Sequence, residues 1–215
     1  VETTQTRALS IASTPDESDL LFVIKIFPNG RLGRWITEVL KEGMSVTFKG
    51  PFGNFVLQQL PPPGPIPPSS FAKASEDKAR GRGRDLLFIA TGAGIAPFRP
   101  MVTAAAVDAT RRIDILFGVR SEEDLFWKEW LEETTQAHPN VFHHIVLSQP
   151  SAAWTGHKGR VQVLAPQIMV RGQNARVGGK TLYVCGNPDM TTDVKRLALT
   201  EWGIDKKDLH VEGYI

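Results

Sequence analysis

Cysteine is almost absent from this chain of 215 residues, which contains only Cys185. A single thiol excludes an internal disulfide framework, a cysteine-ligated zinc finger and a thiolate-held iron–sulfur cluster, and it favours a reducing compartment. Long apolar runs are also missing, because no stretch approaches the roughly eighteen residues of a membrane-spanning helix. No signal-peptide pattern is visible. We therefore expect a cytoplasmic protein without membrane insertion.

Net charge is small, at +2, although the isoelectric point is near 8.7. Residues 1–59 carry six basic and six acidic side chains, residues 60–84 five and two, and residues 85–215 fourteen and fifteen. The middle segment has six prolines in positions 61–68 and then Arg-Gly-Arg-Gly-Arg, so it can form neither helix nor central strand. We predict a linker at 60–84 between two nearly neutral domains.

The basic linker also suggests an RNA-binding module, which we consider as an alternative. The sequence has neither the aromatic stacking platform nor the basic face that such modules use. The charge lies in a solvated linker, and we expect no nucleic-acid partner.

Before the linker, apolar residues group into short runs that are typical of strands. These runs lie at residues 20–27, 45–49 and 55–57, and turn residues separate them. Between the first two, apolar residues at i, i+1, i+4 and i+5 over 35–40 predict a short helix ended by Gly43. This part is expected to be mostly antiparallel β.

After the linker, strand-like runs alternate with helical stretches. The runs are 85–90, 113–117, 141–147 and 181–185, and the helical stretches are 97–108, 121–136 and 189–201. This alternation predicts a parallel sheet covered by helices on both faces. Ligands of such sheets bind at the carboxyl ends of the strands.

The loop after the first of these strands reads Thr-Gly-Ala-Gly-Ile-Ala-Pro over residues 91–97. Its two glycines let the backbone approach a phosphate, and Pro97 suits the first turn of a helix whose positive end faces the anion. The third glycine of the common dehydrogenase fingerprint is missing, and no acidic residue ends the second strand. A tight glycine turn made only for packing is the alternative.

Five short motifs occur in one order along the chain. They are Arg-Ala-Leu-Ser-Ile-Ala-Ser at 7–13, Gly-Pro-Phe-Gly-Asn-Phe at 50–55, Gly-Ala-Gly-Ile-Ala-Pro at 92–97, Cys-Gly-Asn-Pro-Asp-Met at 185–190 and His-Val-Glu-Gly-Tyr at 210–214. The set resembles the ferredoxin–NADP⁺ reductase superfamily. The resemblance implies an FAD-binding antiparallel β-barrel over 1–59 and a Rossmann-like parallel α/β domain for NAD(P) over 85–215.

The resemblance assigns FAD contacts to the first domain and to the chain terminus. Arg7 would pair with the pyrophosphate of FAD, and Ser10 would lie near the flavin N5 and align hydride transfer. The implied FAD-binding residues are Arg7, Leu9, Ser10, Ile11, Gly30, Leu32, Gly33 and Tyr214. The sequence departs from the family pattern at Leu9, which is usually aromatic, and at Gly33, which is usually Ser or Thr.

The resemblance also assigns nicotinamide-nucleotide contacts to the second domain. The implied residues are Thr91, Gly92, Ala93, Gly94, Pro97, Arg120, Ser148, Gly186, Asn187 and Met190. Cys185 would lie beside the nicotinamide ring, although a plain buried cysteine is the alternative. Glu212 would assist proton and electron traffic at the flavin edge, and Tyr214 would stack on the isoalloxazine; an ordinary frayed terminus is the alternative for both. The implied catalytic residues are Ser10, Cys185 and Glu212.

Nucleotide preference depends on the residue after Ser148. Many NADPH users of the family have an arginine there, whereas this chain has Gln149, which favours NADH slightly. Arg120, Lys158 and Arg160 are alternative phosphate ligands. We expect no metal site, and the adjacent His143 and His144 point to opposite faces of a strand and cannot share one ion.

The implied function is FAD-dependent NAD(P)H oxidoreduction. Hydride would pass from NAD(P)H to FAD, and electrons would then pass to a separate acceptor protein such as ferredoxin, flavodoxin or an oxygenase component. Only residues 1–6 precede Arg7, so we expect an N-terminally shortened barrel that a longer natural chain or a partner completes. The alternative function is a non-catalytic nucleotide-binding subunit of an electron-transfer complex that has lost FAD binding.

Overall fold

A six-stranded sheet dominates the second part of the molecule. The computed structural model describes residues 6–27, 29–58, 85–170 and 180–214, so the predicted linker at 60–84 lies outside the described residues. The strands are Asp85–Thr91 (β1), Ile113–Val119 (β2), Val141–Leu147 (β3), His157–Lys158 (β4), Lys180–Gly186 (β5) and Leu209–Gly213 (β6).

All neighbouring strands of this sheet run parallel, in the order β4-β3-β2-β1-β5-β6. The chain moves outward from β1 through β2 and β3, and then returns to the other side of β1 with β5 and β6. The order therefore reverses between β1 and β5. In open parallel sheets this reversal opens a crevice at the carboxyl ends of the strands, where ligands bind.

Helices cover both faces of the sheet. The helices of the described residues are Arg31–Arg34 (α1), Phe98–Ala106 (α2), Lys128–Ala137 (α3), Val161–Met169 (α4) and Pro188–Thr200 (α5). Buried side chains of α2 and α3 pack in one core, and those of α4 and α5 pack in a second core on the opposite face. The strands predicted at 85–90, 113–117, 141–147 and 181–185 and their covering helices are all present.

The helix predicted over 121–136 is shorter than expected. A 3-10 turn forms at Glu122–Asp124, and α3 begins only at Lys128. Trp127 between them has a φ of 57°, a left-handed conformation that no helix can include. This backbone reversal separates the two segments.

The first part of the chain contains few regular hydrogen bonds. Residues 20–27, 45–49 and 55–57 were predicted as strands but form no ladder; among the described residues, the one isolated bridge joins Ile11 to Phe22. Residues of high β-propensity favour an extended backbone, but a strand also needs a neighbouring strand with which to form hydrogen bonds. The sequence pattern could not show whether such a neighbour is present.

The predicted short helix is present but begins earlier than the apolar pattern indicates. It starts at Arg31 as α1, continues as a π-helical turn over Trp35–Val39, and ends where Leu40 turns extended. Gly43, with a φ of +83°, lies in the turn that follows.

Aromatic packing joins the two parts. The ring of Phe55 lies 6.0 Å from that of Phe98 on α2 and 6.1 Å from that of Tyr183 on β5. The amide of Gln58 donates to the Tyr183 hydroxyl at 2.9 Å. The first part therefore docks on the face of the sheet that α2 covers. Within the described residues, no helix combines the length and apolar character needed to cross a membrane.

Candidate functional site

The loops after β1 and β5 meet where the strand order reverses. Ala90 near the end of β1 pairs with Cys185 near the end of β5. After β1 the chain forms a tight 3-10 turn over Gly92–Ile95, and Pro97 then occupies the N-cap position of α2. The sequence predicted this turn and its helix at the carboxyl edge of the sheet.

Glycine occupies three positions in these two loops for different physical reasons. A Cβ on Gly94 would collide with the carbonyl of Cys185, and one on Gly186 would collide with Thr91. Packing therefore requires glycine at both positions. Gly92 differs, because it has a φ of +53° and a Cβ there would meet nothing within 4 Å. Open space remains above the turn at this position, which suits the close approach of a phosphate.

Hydrogen bonds tie the two loops together. The amide of Asn187 donates to the Thr91 hydroxyl at 3.1 Å. The Asn187 side chain caps α5 by accepting from the amide of Asp189 at 2.8 Å. Met190 follows in the first turn of α5, and its side chain is buried in the core on the face that α4 and α5 cover. Of these predicted contact residues, Met190 therefore faces the core.

A hydrogen-bonded chain of three side chains lies at the same edge. The hydroxyl of Tyr214 donates to Ser10 Oγ at 2.9 Å, and Ser10 Oγ donates to Glu212 Oε1 at 3.0 Å. Ser10 and Glu212 stand 202 positions apart in sequence. The parallel pairing of β5 and β6 places Glu212 opposite Cys185, and the amide of Tyr214 donates to the carbonyl of Gly186 at 2.9 Å. The structure thus brings together Ser10, Cys185, Glu212 and Tyr214.

Electrostatics keep two of these groups neutral. Burial raises the pKa of the Cys185 thiol to about 12, while a hydrogen bond with Tyr214 opposes the rise and the charge on Glu212 adds to it. Burial also raises the pKa of Tyr214 above its usual range. Cys185 is therefore a thiol rather than a thiolate near neutral pH, so it is not an activated nucleophile.

Tyr214, Ser10 and Glu212 form a hydrogen-bonded chain that ends on a carboxylate. Two hydroxyl groups in series can pass a proton between the crevice and Glu212 without a large movement. The side chain of Cys185, which lies on β5 opposite Glu212, belongs to the buried core. The arrangement can hold and orient a reactant and move a proton.

The residues predicted to contact FAD lie at several places in the first part. Arg7 is exposed, and its Nη1 donates to the carbonyl of Thr6 at 3.1 Å. Ile11 is 37% exposed and pairs with Phe22, while Leu9 is half-buried. The structure therefore brings Ser10, and not these neighbours, into the hydrogen-bonded chain.

Gly33 is buried in the turn where α1 begins. A Cβ there would stand 3.0 Å from the carbonyl oxygen of Phe27 and 3.2 Å from Cγ2 of Ile26. A Ser or Thr would have to displace this backbone. Packing therefore accounts for the glycine. Gly30 is the N-cap residue of α1, and Leu32 directly precedes Gly33.

At the ends of β2 and β3, the predicted residues Arg120 and Ser148 are close together. The Nε of Arg120 donates to Oε1 of Gln149 at 2.8 Å, and the amide of Gln149 donates to the carbonyl of Arg120 at 2.7 Å. The amide of Ser148 donates to the carbonyl of Val119 at 3.1 Å. Gln149 is therefore held at the edge of the crevice by Arg120.

Sequence reasoning missed a contact between the two parts of the chain. Arg99 in the first turn of α2 binds Glu17 through both terminal nitrogens, at 2.6 and 2.8 Å. Its Nη1 also donates to the carbonyl of Ala12 at 3.0 Å. One signal was available, because an arginine at the positive end of a helix needs a nearby negative charge.

Known protein families match both parts of the chain. The family described as "Oxidoreductase NAD-binding domain" matches residues 88–196, and that described as "Oxidoreductase FAD-binding domain" matches residues 1–57. A ferredoxin–NADP reductase B of Sorangium cellulosum is 31% identical over 212 residues, which cover 97% of this chain and 78% of the relative.

Other similar proteins are longer than this chain. The electron transfer component of a toluate 1,2-dioxygenase of Pseudomonas putida is 26% identical, and the match covers 98% of this chain and 54% of the relative. A cytochrome P450 reductase of Amycolatopsis has a similar structure, with a TM-score of 0.69 at 23% identity, over 96% of this chain and 56% of that protein. The chain thus spans about half the length of these two. With both domain families matched, the chain belongs to the ferredoxin–NADP reductase superfamily of FAD- and NAD(P)-dependent oxidoreductases.

Proposed function

We propose that this chain takes electrons from NADH and delivers them to a separate acceptor protein, of the ferredoxin, flavodoxin or oxygenase-component type. The observation that carries the proposal is the hydrogen-bonded chain of Tyr214, Ser10 and Glu212, which joins the FAD motif to the nucleotide domain. Bound FAD would supply the chemistry, since a flavin accepts hydride from reduced nicotinamide and releases electrons singly. The domain limits we propose are 1–59 for FAD and 85–215 for the nucleotide.

The crevice fits a dinucleotide. The start of α2 carries the positive end of a nine-residue helix, and the open position at Gly92 leaves room for a phosphate against the backbone. Thr91, Ala93, Gly94 and Pro97 complete that turn. For FAD, we propose that the guanidinium of Arg7 and the amides at Leu32 and Gly33 bind the pyrophosphate.

Ser10 and Glu212 have distinct proposed roles. Ser10 accepts from Tyr214 and donates to Glu212, so its hydroxyl has a fixed direction. We propose that this hydroxyl orients the reacting edge of the flavin, and that Glu212 exchanges protons with solvent through it. Tyr214 would cover the bound flavin and would have to move aside for the nicotinamide. Cys185 contributes a neutral, buried wall against which the nicotinamide would lie.

The function is tested with the purified chain, supplied with FAD and then mixed anaerobically with NADH. We expect flavin absorbance to be retained and to bleach on NADH addition. Ser10→Ala should slow bleaching about tenfold at saturating NADH, since a lost orienting contact misplaces the reactants. Ser18→Ala, on the exposed surface of the same part, is the matched control and should leave the rate unchanged.

Two outcomes would contradict the proposal. A chain that shows neither flavin absorbance nor NAD(P)H-dependent dye reduction is no reductase. Nucleotide binding by calorimetry without flavin retention would instead support the non-catalytic alternative.

Preference for NADH rests on Gln149. Its side chain is neutral and its oxygen accepts from Nε of Arg120, so Gln149 adds no second cation beside Arg120. Gln149→Arg should raise the NADPH-to-NADH ratio of kcat/KM about tenfold, the worth of one charged hydrogen bond of about 1.5 kcal/mol. An unchanged ratio would place nucleotide selection elsewhere.

The proposed acceptor class is based on the similar proteins. They include a ferredoxin–NADP reductase, a cytochrome P450 reductase and a dioxygenase electron transfer component, and each is named for electron exchange with another protein. A cytoplasmic location is compatible with Cys185, the single cysteine, which is a free buried thiol.

A further inference from the structure

We propose that Arg99 is a positioning residue that fixes Ser10 relative to the nucleotide loop. Arg99, Glu17 and the carbonyl of Ala12 form what we call the Arg99 clasp. The inference rests on the proposed function, because Ser10 matters only if it orients a reactant.

The clasp joins the segment that follows Ser10 to the helix that follows the nucleotide loop. The proposed reaction requires these two segments to keep a fixed relative position. Arg99 is the second residue of α2 and follows the Gly92–Ile95 turn closely. Ala12 stands two residues after Ser10. A single guanidinium therefore contacts the FAD motif from the helix that begins at the nucleotide turn.

The geometry of the clasp is rigid. Both terminal nitrogens of Arg99 bind the carboxylate of Glu17, and a bidentate pair of this kind fixes direction as well as distance. Glu17 is itself held by Thr14, whose hydroxyl donates to it at 3.1 Å. The segment between Ala12 and Glu17 is thus closed into a small loop on α2.

Burial shows where the clasp acts. Ala12 is fully buried and Ser13 is 6% exposed, and no other described residue between 6 and 27 is buried. The amide of Ala12 also donates to the carbonyl of Leu21 at 2.8 Å, and the hydroxyl of Ser13 accepts from the amide of Leu21 at 3.2 Å. The clasp therefore holds the one buried point of this segment.

Electrostatics explain why the pair includes a carboxylate. A positive charge in the first turn of a helix is unfavourable, since the helix dipole is positive there. The carboxylate of Glu17 offsets that cost. The hydrogen bond from Arg99 lowers the pKa of Glu17 to about 2, with hydrogen bonds from Thr14 assisting. The clasp therefore stays charged throughout the neutral range and does not act as a pH switch.

The test compares Glu17→Gln, Arg99→Gln and the double variant in the full chain. Glu17→Gln is the milder variant, because the Glu17 side chain is 37% exposed and glutamine keeps its shape. Arg196→Gln is the matched control, since Arg196 pairs with Glu201 at 3.3 Å on the exposed surface of α5. Amide hydrogen exchange over residues 10–13, without cofactor, is the first measurement.

We expect both single variants to speed exchange over 10–13, and to lower the rate constant of flavin reduction at saturating NADH about tenfold. The dissociation constant for NADH should stay within about twofold, because the guanidinium is occupied by Glu17 and Ala12. The double variant should be no slower than Arg99→Gln, since both changes remove one contact.

Three results would contradict the proposed positioning role of Arg99. Unchanged exchange in Glu17→Gln is one, and an equal loss of rate in the Arg196→Gln control is another. A loss confined to NADH affinity is the third, because it would make Arg99 a nucleotide ligand. If the unaltered chain fails to reduce FAD, the proposed function is wrong, whereas the exchange comparison still decides whether the clasp holds residues 10–13.

Discussion

The first part of the chain, residues 6–58, and the second, residues 85–214, use apolar residues differently. In the second part, β2 and β5 are buried along their whole length, and helices cover both faces of the sheet. In the first part, the described residues that are buried are Ala12, Ser13 and Gly33, whereas Phe27, Phe48 and Phe52 are exposed.

This difference shows that apolar content alone does not make a core. The sheet satisfies its own backbone and buries its own side chains. The first part instead depends on contacts with the second, through Phe55, the Arg99 clasp and Ser10. We therefore expect changes inside the sheet to act on the whole molecule, and changes in the first part to act on docking.

The largest effect should come from Asp114→Ala. Asp114 is fully buried on β2, where Arg112 Nε donates to it at 2.8 Å and Lys180 and His144 lie 3.5 and 3.1 Å away. Removing the carboxylate takes the shared partner from Arg112 and from the almost buried Lys180, which keeps Asp85 at 3.8 Å. The free energy of unfolding should therefore fall by about 4 kcal/mol in urea titrations. Asp205→Ala, which removes an exposed pair with Lys207, should have almost no effect.

Acid should weaken the same cluster. Burial raises the pKa of Asp114, but hydrogen bonds from His144 and Arg112 and the charge on Lys180 lower it more, so the net pKa lies below its ordinary value. A depressed carboxyl pKa adds stability above the unfolded value of about 3.9, and this stability is lost as pH falls further. Asp114→Ala should therefore flatten the decline of unfolding free energy below about pH 4. An equal decline in both proteins would contradict the assignment.

Gly94→Ala should have the next largest effect. Its Cβ would collide with the carbonyl of Cys185, and a backbone group cannot move aside cheaply. We expect a loss of about 3 kcal/mol in the unfolding free energy and weaker NADH binding. Gly43→Ala in the first part is the control, since its φ of +83° adds strain but nothing lies within 4 Å; the expected loss is about 1 kcal/mol. Equal losses of unfolding free energy in the two variants would contradict the expectation that the sheet is more sensitive to substitution than the first part.

Phe55→Ala should have the smallest effect on the sheet and a clear one on docking. Phe55 packs between Phe98 and Tyr183, so its loss should weaken docking by about 2 kcal/mol. Limited proteolysis within residues 6–58 should accelerate while thermal unfolding of the sheet changes little. Phe52→Ala, whose side chain is 86% exposed, should behave like the unaltered chain. A large shift in sheet unfolding would show that the two parts unfold together.

Much of the sheet could be predicted from sequence, because its buried parallel strands are short runs rich in apolar residues. The run at 85–90, in which five consecutive residues after Asp85 are apolar and buried, needed no long-range information. α4 was missed even though its buried residues recur at helical spacing, because Pro166 inside it argues against a helix. β6 was missed because it has only five residues, and its pairing with β5 is a long-range contact that no local pattern contains.

Less of the candidate site could be predicted from the residues themselves. Ser10 and Glu212 meet only because β6 returns beside β5, and no local pattern contains that pairing. Their association came from the family resemblance. The Arg99 clasp is another case, since the partners Arg99 and Glu17 lie 82 positions apart. In the first part, strand propensity was visible and strand partners were not.

Thr91 has a consequence for redesign of this protein. Its hydroxyl accepts from the amide of Asn187, and its hydroxyl and backbone together leave room only for glycine at position 186. The loops after β1 and β5 are therefore packed directly against each other, and a larger residue at position 186 would displace Thr91. Exchange of the preferred nucleotide is more easily engineered at Arg120 and Gln149, where two side chains meet at the sheet edge and the backbone need not shift.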